Sequence, residues 1–318
     1  MQALFLQNKG EVIDCSRDTP EQSLLCTMSK LTGFLEQIIN LGIRSGDNVM
    51  LTCSVACLEE LDVTAVEVVS GIFEIVGPTG TLVTPAYSDA SWALRSSTFQ
   101  ASPLGEALAD FPDALVSEHP THPFCAAGKL AEILLDDTQG CAPFGRDSIP
   151  FRMLQVGAKQ IMLGCGLYQS PFVYLAENLV QVPYSDRSIV LGIKLSSGKT
   201  VRKHIQMPGC GTGFTNLEEN DFLKESPDNI ISAASARDIF DAAKNTLTDD
   251  QSALLCEEPD CDICAQSRAI IDATEADKFD KQVTALAEEE ENTRLELERK
   301  LDGRVTFFET DYSSIKPN

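Results

Sequence analysis

Apolar positions along the chain recur in two rhythms, and their order predicts a fold. Residues 19–42 open on Thr19, Pro20 and Glu21 and close on Gly42. A hydroxyl side chain at the cap, proline at the first helical position and glycine at the stop are boundary signals, so a helix is expected here. GDNVMLTCS looks like a strand, expected over residues 48–53. In TAVEVVSGIFEIVG, residues 64–77, the positions Val66, Val69, Ile72, Phe73 and Val76 recur at helical spacing. GTLVTP, residues 80–85, is a second expected strand. Strand, helix and strand in such quick succession make the unit of a parallel sheet with a right-handed crossover.

The pattern continues with a helix beginning near Ser148 and Pro150, then a buried strand in KQIMLGCG, residues 159–166. Residues 188–206 alternate more evenly around Ser196, Ser197 and Gly198, which predicts a hairpin. Helices are expected at about 214–224 and 235–248. Residues 273–302 are a charged helical tract on which Phe279, Val283, Leu286, Leu297 and Leu301 fall near one stripe. That stripe has two readings, a solvated helix docked on the domain or a homo-oligomer contact. RVTFFETDY, after Gly303, is expected as a late edge strand. The whole reads as an α/β fold with a mixed, mainly parallel sheet flanked by helices and a C-terminal charged helix. It divides into residues 1–272, the α/β domain, and 273–318, an acidic helical extension.

Composition narrows the function classes. The 318 residues carry a formal charge of −23, a field that repels nucleic acid and anionic membranes. No apolar run reaches the length of a membrane span and the N-terminus lacks a signal pattern, so a cytoplasmic protein is expected. Eleven cysteines without an export signal are expected as reduced thiols. Cys26, Cys53, Cys57, Cys125, Cys141 and Cys165 sit among apolar or small residues as core filler.

Only three histidines occur, and two of them, His119 and His122, share the stretch SEHPTHPFCAAG, residues 117–128, expected as a loop. A loop histidine can be a metal ligand, a general base or a hydrogen-bonded structural residue. A base needs an orienting carboxylate from elsewhere. Glu177, in the otherwise apolar SPFVYLAENL after the strand at 159–166, is the candidate partner of His119. Cys256, Cys261 and Cys264 have the spacing C-x4-C-x2-C, within the range of zinc ligation, and Cys210 in PGCGTGF could supply a fourth thiolate. The alternative is three unliganded thiols lining a turn. Cys125, beside the histidines, could be read as a nucleophile.

Seven segments in order, LGIRSGDNVMLTCSVACLEEL, GPTGTLVTPAYS, SEHPTHPFCAAG, PFGRDSIPFRMLQVGAKQIMLGCG, FVYLAE, PGCGTGF and ALLCEEPDCDICAQSR, give the chain its resemblance to the aminoglycoside 3-N-acetyltransferase family, the antibiotic acetyltransferases. The resemblance covers roughly residues 30–270. It implies an acetyl-coenzyme A-dependent N-acetyltransferase acting on a small-molecule amine, an amino sugar above all, by direct transfer. It implies His119 as base on the acceptor amine and Glu177 as its supporting acid. It places the turn Thr52, Cys53, Ser54 and Val55 against the thioester end of coenzyme A, where amides opening a helix can stabilise the developing oxyanion.

Four positions depart from the family pattern. The family's HSS reads Thr52-Cys53-Ser54, the arginine three residues before the HP histidine is Val116, the serine shortly after it is Pro123, and the histidine of the second motif is Tyr174. Tyrosine cannot replace histidine as a base near neutrality, but it can bind and pack against a sugar. His122 and Tyr174 are therefore expected on the substrate side. Relatives with an HPTH loop resemble enzymes of surface-sugar or secondary-metabolite synthesis, which points to a biosynthetic acceptor rather than a drug. The second reading is a catalytically impaired member that binds a ligand or a partner protein.

Overall fold

The computed structural model describes residues 20–86, 102–117, 119, 122–136, 142–194, 200–206, 209, 221–258 and 260–274. In chain order these form α1 (Pro20–Asn40), β1 (Asn48–Cys53), α2 (Val55–Leu61), α3 (Ala65–Val76), β2 (Thr81–Pro85), α4 (Pro103–Ala109), β3 (Leu115–Val116), β4 (Phe124–Gly128), α5 (Ala131–Leu135), α6 (Ile149–Gln155), β5 (Lys159–Leu163), α7 (Pro171–Leu179), β6 (Ser188–Lys194), β7 (Thr200–Gln206), β8 (Lys224–Glu225), β9 (Ile231–Ser235), α8 (Ala236–Asp249) and α9 (Asp262–Asp272).

Seven strands make one sheet in the order β3-β4-β2-β1-β5-β9-β8, and β6 and β7 form a separate antiparallel pair. The parallel pairings are those of β1 with β2 and with β5, at the centre of the sheet. Antiparallel strands extend both sides, with β4 on β2 and β9 on β5. The sheet is thus mixed, with a parallel centre. Its strands read as unbroken apolar runs because both faces are covered. Val49, Leu51, Leu82, Ile161 and Leu163 point into a core shared with α1, α3 and α4. Met50, Val83 and Met162 point the other way, into a core shared with α6, α7 and α8. Alternate side chains on opposite faces are what the pleat dictates.

Local signals explain most element boundaries. Thr64 caps α3 and Glu67 returns a hydrogen bond to its amide, a capping box. The buried face of α3 is Val68, Val69, Ile72 and Val76, so three of the five expected stripe positions are buried, while Phe73 is half-buried and Val66 is exposed. Ser148 caps α6 and Ser170 caps α7, each followed by an early proline, and Ser235 caps α8. The expected helix at 214–224 lies largely outside the described residues. Its last residues are not helical, since Asp221 and Phe222 turn into the short strand β8. Residues 117–128, expected as a loop, end in strand β4, whose apolar FCAAG is short enough to pass as loop. Helix α2 is the helix that the resemblance expects to open at the turn Thr52–Val55. Thr19, the turn Ser196–Gly198, the tract 273–302 beyond Thr274 with its oligomer stripe, and RVTFFETDY lie outside the described residues.

Among the described residues, no helix is long and apolar enough to cross a membrane.

Candidate active site

The two histidines lie between β3 and β4. Val116 pairs with Cys125, and Ser117 closes the hairpin by donating its N–H to Phe124 O (2.8 Å) while its Oγ accepts from Phe124 N–H (2.9 Å). Both histidines are buried. The His122 amide donates to His119 Nδ1 at 3.0 Å, which fixes the ring orientation. In the neutral ring the proton then sits on Nε2. The rings form a series: His119 to His122 at 6.0 Å, His122 to Phe144 at 5.2 Å, Phe144 to Tyr174 at 5.2 Å. Burial, helped by the neighbouring His119, pushes His122 down to about 3, so this ring is neutral throughout the physiological range.

Helix α7 carries the acid. Its side chains Pro171, Phe172, Val173, Leu175, Ala176 and Leu179 are buried, each large one contributing roughly 2 kcal/mol of transfer free energy. Tyr174, Glu177 and Asn178 stand three and four residues apart and so share one face. With Pro143, Phe144, Ser185 and Gln206 they line a partly open pocket of about 230 Å³, including the part open to solvent. Gln206 arrives from strand β7, hydrogen-bonded to Asn178 and to Ser185 O. The Tyr174 hydroxyl donates to Tyr168 O at 2.6 Å.

Glu177 is the one buried carboxylate among the described residues. Its Oε2 accepts the Gly209 N–H at 2.8 Å. Burial raises its pKa above the ordinary carboxylate value; the Gly209 amide, the Tyr184 hydroxyl and the Arg187 guanidinium offset part of that rise. The Tyr184 hydroxyl faces the carboxylate without the alignment of a hydrogen bond. The hydrogen bond of Glu177 thus goes to Gly209, and none joins it to His119. The two are related through the pocket wall, with His122 edge-on to the Phe144 that lines it beside Glu177.

The turn Thr52–Val55 sits where β1 passes into α2, beside the end of β5. Thr52 is buried, and Cys53 pairs with Leu163. The Ser54 amide donates to Leu163 O at 2.9 Å, and Ser54 Oγ caps α2 by accepting from Cys57 N–H. The Cys53 thiol donates to Ser54 O, and the bonded Cys57 side chain together with burial keeps it protonated.

Two residues that sequence reasoning passed over connect this turn to the acid. Gln160 donates to Thr52 Oγ1 at 3.2 Å and accepts from Ser170 Oγ at 2.5 Å. Ser170 is the cap of α7, seven residues before Glu177, about 10 Å along the helix. The signal was a glutamine at the head of the apolar run that makes β5, since a fully buried amide must be hydrogen-bonded.

Cys125 lies within β4, fully buried, and burial pushes its thiol up to about 11. A thiol so placed is a poor nucleophile near neutrality, which removes the cysteine-dependent reading. Cys256, Cys261 and Cys264 come together at the start of α9, their sulfurs within 4.8 Å of one another. Cys210 lies outside the described residues.

Comparison with known proteins follows the same lines. A family model described as aminoglycoside 3-N-acetyltransferase matches residues 50–248. Aminoglycoside N(3)-acetyltransferase IV of Salmonella sp is 28% identical over 202 residues, which cover 60% of this chain and 76% of that protein. Against further N(3)-acetyltransferases of types III, VIII and VII, the match spans 60%, 58% and 61% of their length. A histidine-to-alanine mutant of the aminoglycoside acetyltransferase AAC(3)-IVa, in complex with a gentamicin, superposes with a TM-score of 0.65 at 25% identity, over 76% of this chain and 96% of that one. The fold is also that of AAC-IIIb in its binary complex with CoASH, TM-score 0.56 at 20% identity, over 69% and 96% of the two chains.

Proposed function

The chain belongs to the aminoglycoside 3-N-acetyltransferase family, whose members are acetyltransferases acting on an amine, and from that premise we propose that it transfers acetyl from acetyl-coenzyme A to the amine of an amino sugar or a related amine in biosynthesis. The observation that carries the acceptor reading is the pocket around Glu177. A buried carboxylate supplies the attraction for a cationic amine, Tyr174 and Phe144 offer aromatic faces for a sugar ring, and Asn178 and Gln206 offer amides to its hydroxyls. A biosynthetic role fits such an acceptor.

In the proposed reaction the neutral amine attacks the thioester carbonyl, the C–S bond breaks, and coenzyme A leaves as thiolate. His119 takes the amine proton and returns it to the sulfur. For Nε2 to accept that proton, the ring must hold its own proton on Nδ1 and release the His122 amide. The working geometry therefore requires a rearrangement of the HPTH loop when substrates bind, as apo sites often do. Glu177 stabilises the cationic forms of amine and imidazole. The turn Thr52–Val55 takes the thioester end. The amides of Ser54 and Cys57 are engaged internally, so Val55 and Ala56 N–H are the donors left for the oxyanion.

The test is release of coenzyme A thiol from acetyl-coenzyme A with a panel of amino-deoxyhexoses alongside gentamicin and apramycin. Turnover of an amino-deoxyhexose, reduced roughly a hundredfold or more in His119→Ala, is the expected result. Preference for the antibiotics overturns the biosynthetic acceptor. One observation favours the second reading, a ligand-binding member without turnover: Glu177 is bonded to Gly209 and not to His119. Calorimetric titration separates the two. Micromolar acetyl-coenzyme A binding, about −8 kcal/mol, supports the enzyme, and no binding at millimolar donor supports the binder.

A further inference from the structure

The cysteine group at the start of α9 plays no part in the proposed transfer. Cys256 lies in the loop after α8, Cys261 is the residue before the first turn of α9, and Cys264 lies in that turn. Cys256 and Cys264 are buried and Cys261 is half-buried. The Cys256 and Cys264 sulfurs are 3.4 Å apart and all three lie within 4.8 Å. A disulfide would need a sulfur separation of about 2.05 Å and would leave the third thiol over. A tetrahedral zinc ion with Zn–S bonds of about 2.3 Å separates its sulfurs by about 3.8 Å, inside the observed range. The Cys261–Cys264 spacing, C-x2-C, is that of paired ligands on a turn entering a helix. Cys261 makes no capping bond with its sulfur.

The ligand segments are tied down by arginines: Arg268 on α9 donates to Cys256 O at 2.6 Å, and Arg187 donates to Ile263 O at 3.3 Å. Both also hold backbone carbonyls of the ligand loop and helix in place, which keeps the sulfurs converged.

We infer that Cys256, Cys261 and Cys264 supply three of the four ligands of a structural zinc ion that fastens α9 to the back of the Glu177 pocket. The path to that pocket is short. The α9 backbone accepts from Arg187, whose guanidinium lies 5.5 Å over the Tyr184 ring, and Tyr184 faces Glu177. Ser185, next in the chain, lines the pocket itself. The ion holds the helix, the helix holds the turn Pro183–Asp186, and the turn shapes the wall beside the acid.

The experiment is metal analysis of the full chain, purified without chelator and without added metal, by elemental mass spectrometry and native mass spectrometry. Expected is about one zinc per chain, displaced by cobalt(II) to give a thiolate-to-cobalt charge-transfer band and the intense visible bands of a tetrahedral ion. Cys261→Ser and Cys264→Ser should each lose the metal, while Cys165→Ala, on a thiol elsewhere in the fold, keeps it. Zinc at background in the wild-type chain together with no cobalt–thiolate band overturns the site, whether or not the variants fold. Full zinc content in a folded Cys264→Ser overturns the ligand assignment. Neither readout depends on acetyl transfer.

Discussion

Gly209 holds the acid of the pocket, and its replacement by alanine tests that dependence directly. The Gly209 amide gives Glu177 its hydrogen bond at 2.8 Å, and a Cβ on Gly209 would collide with Oε1 and lie 3.0 Å from the carboxyl carbon. The Gly209 backbone is not left-handed, so an alanine is not refused by its own conformation; the obstacle is the carboxylate. Relieving that overlap moves the carboxylate or the amide by about 1 Å, and a misplacement of that size costs roughly a hundredfold in rate. Loss of a hydrogen bond to a buried charge costs about 1.5–3 kcal/mol. The amide lowers the pKa of Glu177 against the rise from burial, so losing it raises that pKa further. If ionised Glu177 is the working form, the acidic limb of kcat/KM moves to higher pH. The assay is coenzyme A thiol release across pH, with thermal unfolding in parallel. Gly33→Ala is the control, because a Cβ there meets nothing within 4 Å and alanine favours the helix. A Gly209→Ala chain with wild-type kcat/KM at every pH and an unchanged Tm would refute the proposed hold on Glu177.

Burial of neutral His122 makes stability depend on pH. Its folded value of about 3 lies below the usual 6.5, so the unfolded chain takes up the proton first as pH falls; the contribution is complete above 6.5 and is lost towards 3. Denaturant titrations at pH 7 and pH 4 should differ by about 3 kcal/mol more in the wild type than in His122→Phe, and equal differences would exclude the burial effect. Glu177 acts with the opposite sign: its raised folded pKa makes the native state hold the proton longer, so stability falls as pH rises from the ordinary glutamate value through the raised one. Glu177→Gln should abolish that fall, measured by the same titrations, and a persistent slope would assign it elsewhere. Gln160→Ala strands Thr52 and Ser170, at a cost of about 1–3 kcal/mol, and should raise KM for acetyl-coenzyme A more than it lowers kcat. An unchanged KM with lowered stability would reduce Gln160 to a packing role.

The centre of the fold was legible because its strands carry apolar runs bounded by turn residues, and its helices carry caps that need no tertiary context: Thr64 with Glu67, Ser148 with Pro150, Ser235. What escaped is what tertiary pairing decides. FCAAG becomes strand β4 only because β2 offers it an edge. Val66 is exposed although its spacing marks it as core, because the sheet meets α3 on the face of Val68. At the candidate site, the residue types pointed to His119 and Glu177, but no spacing rule relates positions in a hairpin and a helix far apart in the chain. The links that matter there run through backbone amides, His122 to His119 and Gly209 to Glu177, and every residue but proline carries an amide N–H. Cys256, Cys261 and Cys264 were legible because their separation is local and the turn entering α9 brings them together.

Tyr174, where the resemblance leads one to expect a histidine, bears on how protons can be handled in this pocket. Tyr174 spends its hydroxyl proton on Tyr168 O and lays its ring against Phe144, so this wall is aromatic and does not titrate near neutrality. His122 is also taken out of titration by burial. Of the groups along the ring series and the pocket, His119 and Glu177 are left to carry a proton. Burial raises the carboxylate above its ordinary value, so its charge depends on pH. Transfer from amine to His119 is then favoured by ionised Glu177 and hindered by protonated Glu177. The rate should therefore rise with pH through the raised value of Glu177, and Glu177→Gln should remove that limb.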